Sequence, residues 1–228
     1  MTNLALAVLL FGSLARGEPS RGSDIDVLFI HDGGEVKHVT AGKISMFHYP
    51  WASLKGLASS GDLFACHIAY EAKPILDAQG YLTQLRSAFR FKCTYREEAG
   101  HAADLAWFLV RYGQDLDTTL VPQRMIWCVR TILIARSAEF RRPVFSPKIL
   151  ANQSRSEAAR EILSRRHDRG ADAMMRHRLH KFLEEEVAYD PFHHQATFAE
   201  FVARFQGTGN STARQTVARM AASQSHYL

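Results

Sequence analysis

Leu9-Leu10-Phe11-Gly12-Ser13-Leu14-Ala15-Arg16-Gly17-Glu18-Pro19-Ser20-Arg21-Gly22-Ser23-Asp24-Ile25-Asp26-Val27-Leu28-Phe29-Ile30 is the stretch that decides the fold. The apolar run from Leu4 to Phe11 is short and stops at a glycine, so it predicts a buried strand. Gly12 permits a tight turn, and Ser13 is placed to cap a short helix begun by Leu14, Ala15 and Arg16. Backbone N–H groups and a hydroxyl at such a helix start suit a phosphate. Ten residues separate Ser13 from Asp24, which with Asp26 leads into a second apolar strand. Residues two apart on a strand share a face, so both carboxylates are expected to point one way while Ile25 enters the core. Two carboxylates beside a phosphate-binding turn predict chelation of Mg²⁺, which prefers a few carboxylates plus substrate phosphate oxygens.

Gly-Ser, ten residues and Asp-x-Asp, within strand, turn, helix and strand, resembles the nucleotidyltransferase superfamily of DNA polymerase beta and kanamycin nucleotidyltransferase, above all its minimal branch. Gly12, Ser13, Arg16, Gly17, Ser23, Asp24 and Asp26 carry the match. The resemblance implies Mg²⁺-dependent transfer of a nucleoside monophosphate, AMP from ATP, to a hydroxyl. Gly12 and Ser13 would bind the terminal phosphates, with Arg16 as a further nucleotide contact. Asp24 and Asp26 would hold the metal and serve as the catalytic pair. Members of the superfamily usually carry a helix ahead of the first strand, where Met1, Thr2 and Asn3 stand here. A later strand, read at Lys43 to Tyr49, usually delivers a third carboxylate, and the matching position holds Ser45. Three outcomes stay open. The two aspartates suffice, Asp62 or Glu71 substitutes, or the chain binds nucleotide without turning it over.

Outward from this motif, Trp51 to Leu57 predicts a short helix, Asp62 to Tyr70 a helix or strand, and Pro74 to Asp77 an extended ending. His67 is read as a satisfied core histidine. Gln79-Gly80 marks a boundary, so residues 1–80 are expected to form an α/β nucleotidyltransferase domain with a mixed sheet, and residues 81–228 an all-α helical bundle. Leu105, Phe108, Leu109 and Tyr112 keep the spacing of a core-facing helix. Val121 to Ala138 is apolar almost all round, and Ser146-Pro147 opens the next helix with a capping serine and a first-turn proline. The bundle resembles the helical domain of kanamycin-type enzymes and the HEPN fold through its helix pattern and Arg136 followed by Phe145-Ser146-Pro147. Two arginine–histidine pairs, Arg96 with His101 and Arg160 with His167, are spaced like a HEPN ribonuclease pair, a spacing that arises readily by chance in so arginine-rich a chain. His177, His180 and Glu184 share one helix face but lack a fourth zinc ligand. His193-His194 reads as a loop pair.

Charge is unevenly spread. Residues 1–80 hold 6 basic and 8 acidic side chains, whereas residues 81–228 hold 22 and 15, largely arginine on the basic side. Arginine forks suit phosphate or carboxylate partners. A basic bundle therefore favours a partner protein or RNA as acceptor over a small cationic aminoglycoside, whose enzymes are the alternative within the superfamily. A degenerate nucleotide-binding or partner-binding module, disabled at Ser45, stands beside the enzyme reading. No stretch is long or apolar enough to cross a membrane. The apolar start is read as the first strand, with no targeting segment. Cys66, Cys93 and Cys128 are expected as buried thiols of a cytoplasmic protein.

Overall fold

The computed structural model describes residues 4–19, 22–115, 120–164, 173–187, 190–192 and 196–224. The sequence readings at Met1 to Asn3, His167, His193 and His194 lie outside these residues. An α+β region is followed by a largely helical one, as the sequence predicts. The chain divides into two compact units, Met1–Thr94 with Ala138–Phe145, and Tyr95–Ser137 with Ser146–Leu228.

In the first unit, β1 (Ala5–Phe11) runs into α1 (Gly12–Arg16) and returns as β2 (Ile25–His31). Next come β3 (Lys37–Ala41), β4 (Ile44–Pro50), α2 (Trp51–Ser59), α3 (Leu63–Glu71), β5 (Lys73–Leu76) and α4 (Tyr81–Ala88). The five strands form one mixed sheet in the order β3-β4-β2-β1-β5. β2 and β4 run parallel, and the other neighbouring strands are antiparallel. The strand read from Lys43 is thus the fourth. The missed third strand, β3, lies at the sheet edge and is almost wholly exposed, so it carries no apolar alternation for sequence reasoning to find.

Ala7, Leu9, Leu28 and Ile30 line the buried face of the sheet. Phe64 of α3 covers that face, its ring centroid 5.9 Å from Phe11, 5.6 Å from Phe47 and 5.1 Å from Tyr49. Asp62, read as helix or strand, is instead the N-cap of α3, its side chain accepting from the N–H groups of Phe64 and Ala65. On the opposite face His31 and His48 meet ring nitrogen to ring nitrogen at 3.0 Å, and the His48 ring stacks on Phe29.

In the second unit α5 (Arg96–Tyr112) buries Leu105, Phe108 and Leu109 completely, on the predicted face. α6 (Leu120–Glu139), α7 (Pro147–Gln153), α8 (Glu157–Ser164), α9 (Ala173–Glu186), α10 (Phe198–Gly207) and α11 (Ser211–Gln224) come after it. Ser146 caps α7 with Pro147 in its first turn, and Thr197 and Glu200 close a capping box on α10. Phe108 packs edge-on against Phe201 and Phe205 at 5.5 and 5.6 Å.

Glu186 joins three helices. Its side chain is 2% exposed and pairs with Arg136. It also accepts from the Ser154 hydroxyl at 2.6 Å and from the N–H groups of Arg155 and Ser156 at 2.8 and 3.2 Å. Burial alone pushes this carboxyl up, but the Ser154 hydroxyl, the Arg136 guanidinium and the Arg155 N–H outweigh it and hold it below its ordinary 4.5. A depressed folded value adds stability above that ordinary value and loses it as pH falls through the folded one. Glu186→Gln should therefore cost about 2 kcal/mol at neutral pH. Urea unfolding should show this gap closing in acid below the ordinary glutamate range.

Candidate functional site

The site is built at the end of β1 and the start of β2, where Phe11 pairs across the antiparallel ladder with Asp26. Gly12 has a φ of 72°, a left-handed backbone that turns the chain sharply out of the strand. α1 consequently begins at Gly12 with Phe11 at the N-cap position, and no side chain caps it. Ser13, expected as the cap, is the second residue of α1; the glycine's left-handed turn starts the helix two residues earlier than serine capping predicts. The helix closes on Gly17 with a φ of 76°, and the Glu18 N–H donates to the Ser13 carbonyl at 2.9 Å.

Asp26 lies directly under this turn. A Cβ added to Gly12 would fall 2.4 Å from Asp26 Oδ2 and 3.3 Å from its Cγ. The carboxylate therefore occupies the space that a side chain at position 12 would take. Asp26 is half-buried, whereas Asp24 stands just before β2 and is exposed. Strand alternation puts Asp26 on the face of Leu28 and Ile30, at the rim of the helix-covered core. Ile25 consequently takes the opposite, half-covered face and does not enter the core as expected.

The parallel ladder sets Ser45 of β4 beside Asp26, with Ser45 buried. Each of the two carboxylates considered as a substitute for the third already has a partner at one oxygen. Asp62 caps α3, and Glu71 Oε2 receives Arg16 Nη1 at 2.5 Å and sits 2.7 Å from His67 Nε2. Among the described residues no three His, Cys, Asp or Glu side chains group as a metal site, His177, His180 and Glu184 included. His180 instead faces Glu184 at 3.4 Å, and His101 lies 3.0 Å from the Thr208 carbonyl. Of the two expected metal ligands, Asp26 is seated at the turn, and Asp24 is exposed just before β2. Two carboxylates are fewer than a cage made by protein alone would need for a magnesium ion.

A family model described as a nucleotidyltransferase domain matches residues 4–87. Residues 4–87 belong to the nucleotidyltransferase superfamily. Among solved structures the chain is similar to a nucleotidyltransferase-like protein from Exiguobacterium sibiricum 255-15, at 13% identity, with 82% of this chain and 68% of that chain covered and a TM-score of 0.33. Likeness at that level adds nothing to the assignment. No curated protein matches the chain.

Within the nucleotidyltransferase domain, sequence reasoning missed the setting of Arg16. Its guanidinium is bound by Glu18 at 3.1 Å and by Glu71 at 2.5 Å, which fastens α1 to α3. His67 shares the Glu71 oxygen and stacks on Phe145 at 4.4 Å, with its edge toward Phe11 at 5.4 Å. It is a polar bridge in an aromatic wall, and its four-residue spacing from Glu71 on α3 was the available signal. Neighbouring Cys66 is fully buried. Burial, then Asp62 and Glu71, push its thiol up to about 12. Cys93, expected to be buried, is exposed because it lies in the coil after α4.

Gly12 and Gly17 share the same backbone constraint, but a Cβ at Gly17 would meet nothing within 4 Å. Gly17→Ala should cost about 1–2 kcal/mol of stability for the left-handed backbone alone. Gly12→Ala should cost at least about 1 kcal/mol more, because Asp26 must also move. Chemical unfolding of the two variants side by side measures the difference.

Proposed function

We propose that this chain is an Mg²⁺-dependent nucleotidyltransferase that moves a nucleoside monophosphate, AMP from ATP, onto a hydroxyl of a macromolecular acceptor, a partner protein or an RNA. Residues 1–80 would carry the chemistry and residues 81–228 the helical part that serves the acceptor. The observation that supports this most is the carboxylate of Asp26 seated against Gly12, beside Ser13, within a nucleotidyltransferase domain.

The Gly12–Ser13 turn would offer backbone N–H groups and a hydroxyl to the terminal phosphates, fixing the α-phosphorus for in-line attack. Asp24 and Asp26 would hold Mg²⁺, which when bound neutralises charge on the triphosphate and the departing pyrophosphate. The acceptor oxygen bonds to the α-phosphorus, the bond from that phosphorus to the bridging oxygen breaks, and the hydroxyl proton leaves to solvent. Arg16 would reach phosphate only by exchanging Glu18 or Glu71, so its first role is to hold α1 in place. The basic excess of residues 81–228 supports a macromolecular acceptor over an aminoglycoside. The free cysteines are in keeping with the cytoplasm as the compartment.

Ser45 beside Asp26 favours a second reading, a module that binds nucleotide without transferring it. Incubation with α-labelled ATP, Mg²⁺ and candidate acceptors separates the two. The enzyme leaves covalent label on the acceptor, and the module leaves none. Asp26→Ala should abolish transfer, a fall of at least about a hundredfold; full activity in that variant removes the proposal.

A further inference from the structure

Two stretches of the first unit, 89–94 and 138–145, are tied together. Arg141 Nη1 donates to the Lys92 carbonyl at 2.5 Å, and its guanidinium lies 5.0 Å from the centre of the Phe91 ring. The Thr94 hydroxyl donates to Glu139 at 2.7 Å. Arg141 holds a φ of 58°, a left-handed backbone that non-glycine residues rarely adopt. The first stretch is seated on the turn at Gly61, where a Cβ would fall 2.5 Å from the Arg90 carbonyl oxygen and 2.7 Å from Lys92 N. The surface is therefore a fixed one.

Its chemistry is specific. Arg90, Lys92, Arg141 and Arg142 stand against a single acid, Glu139, in these two stretches. Phe140 is 74% exposed, and Tyr70 is 49% exposed with its ring 6.0 Å from those of both Phe89 and Phe91. The Phe140 ring, held in water, contributes little to a core, and Tyr70 leaves half its surface open; scattered cations alone would serve any polyanion. Rings interleaved with cations fit a strand whose bases are unpaired, because bases stack on the rings while phosphates meet the cations. A duplex hides its base faces and does not use the rings. An acidic protein face would use the cations and leave Phe140 idle. Tyr70 is followed directly by Glu71, the partner of Arg16, so the surface borders the element that fastens α1.

We propose that Tyr70, Phe140 and these four cations dock a single-stranded nucleic acid. The docking stands on this surface alone; that the docked strand is the acceptor rests on the transferase reading above.

The test is fluorescence anisotropy on the full chain, without ATP or Mg²⁺. The probes are labelled uridine and thymidine oligomers of about 12 nucleotides and a duplex of equal length, at roughly 50 and 200 mM salt. Both single strands should bind more tightly than the duplex, and the tighter of the two identifies RNA or DNA as the source. Phe140→Ala should weaken single-strand binding by about 5- to 150-fold. Arg142→Ala should flatten the salt dependence by about 0.7 in slope. Both side chains are exposed, so circular dichroism should show unchanged folds. No single-strand binding at the lower salt, equal affinity for the duplex, or unchanged binding by Phe140→Ala each overturns the inference. A chain that transfers label but binds no strand loses this inference and keeps the transferase reading. One that binds strands but transfers nothing does the reverse.

Discussion

Asp26 can stand under the Gly12–Ser13 turn only because position 12 has no side chain. Gly12 makes two demands that glycine alone meets together. Its φ of 72° turns β1 into α1, and its missing Cβ leaves room for a carboxylate whose Oδ2 would be 2.4 Å from that atom. The turn and the acid are therefore one structural element, although fourteen positions separate them in sequence.

Around that contact the domain is organised by Phe11. It pairs with Asp26 across the ladder and packs edge-on against Phe47, Phe64 and His67. The same residue thus fixes the end of β1 and carries α3 against the sheet. α3 in turn presents Glu71 to Arg16, so α1, a single turn too short to be stable alone, is held at both ends. One end is the glycine turn, the other an ion pair whose partners are both about one-seventh exposed. Partial burial strengthens this pair relative to a surface one, and the His67 contact adds to the constraint on Glu71.

The helical unit obeys a different logic. Its apolar stripes fill the core, and a few buried acids tie helices together. Glu186 gathers Arg136, Ser154 and two backbone N–H groups, while Asp104, nearly fully buried, meets Arg204 at 2.7 Å. For Asp104, burial outweighs the help from Arg204 and the carboxyl is pushed up from its usual range. For Glu186, the donors outweigh burial. Glu186 receives more hydrogen bonds, and Asp104 bears the heavier burial.

The apolar runs of β1 and β2, the Gly-Ser turn, the Asp-x-Asp pair, the Phe108 helix face and the Ser146-Pro147 cap are all local patterns, and each was legible in the residues themselves. The edge strand β3 was not legible, because its pairing with β4 buries almost nothing and leaves no periodicity to read. The face taken by Asp26 was not legible either, since alternation gives two opposite faces but only the packing of α3 says which one is the core. Long-range partners were likewise decided by the fold. The Glu71 ion pair to Arg16 spans 55 positions, and the Arg141 bond to Lys92 spans 49. By itself, then, the sequence determined the superfamily motif and the helical character of the C-terminal residues. Tertiary structure alone decided that the Asp26 carboxylate reaches the turn and which surface gathers exposed rings and cations. Chain connectivity encodes neighbours a few residues apart, and only close packing brings distant side chains within bonding distance.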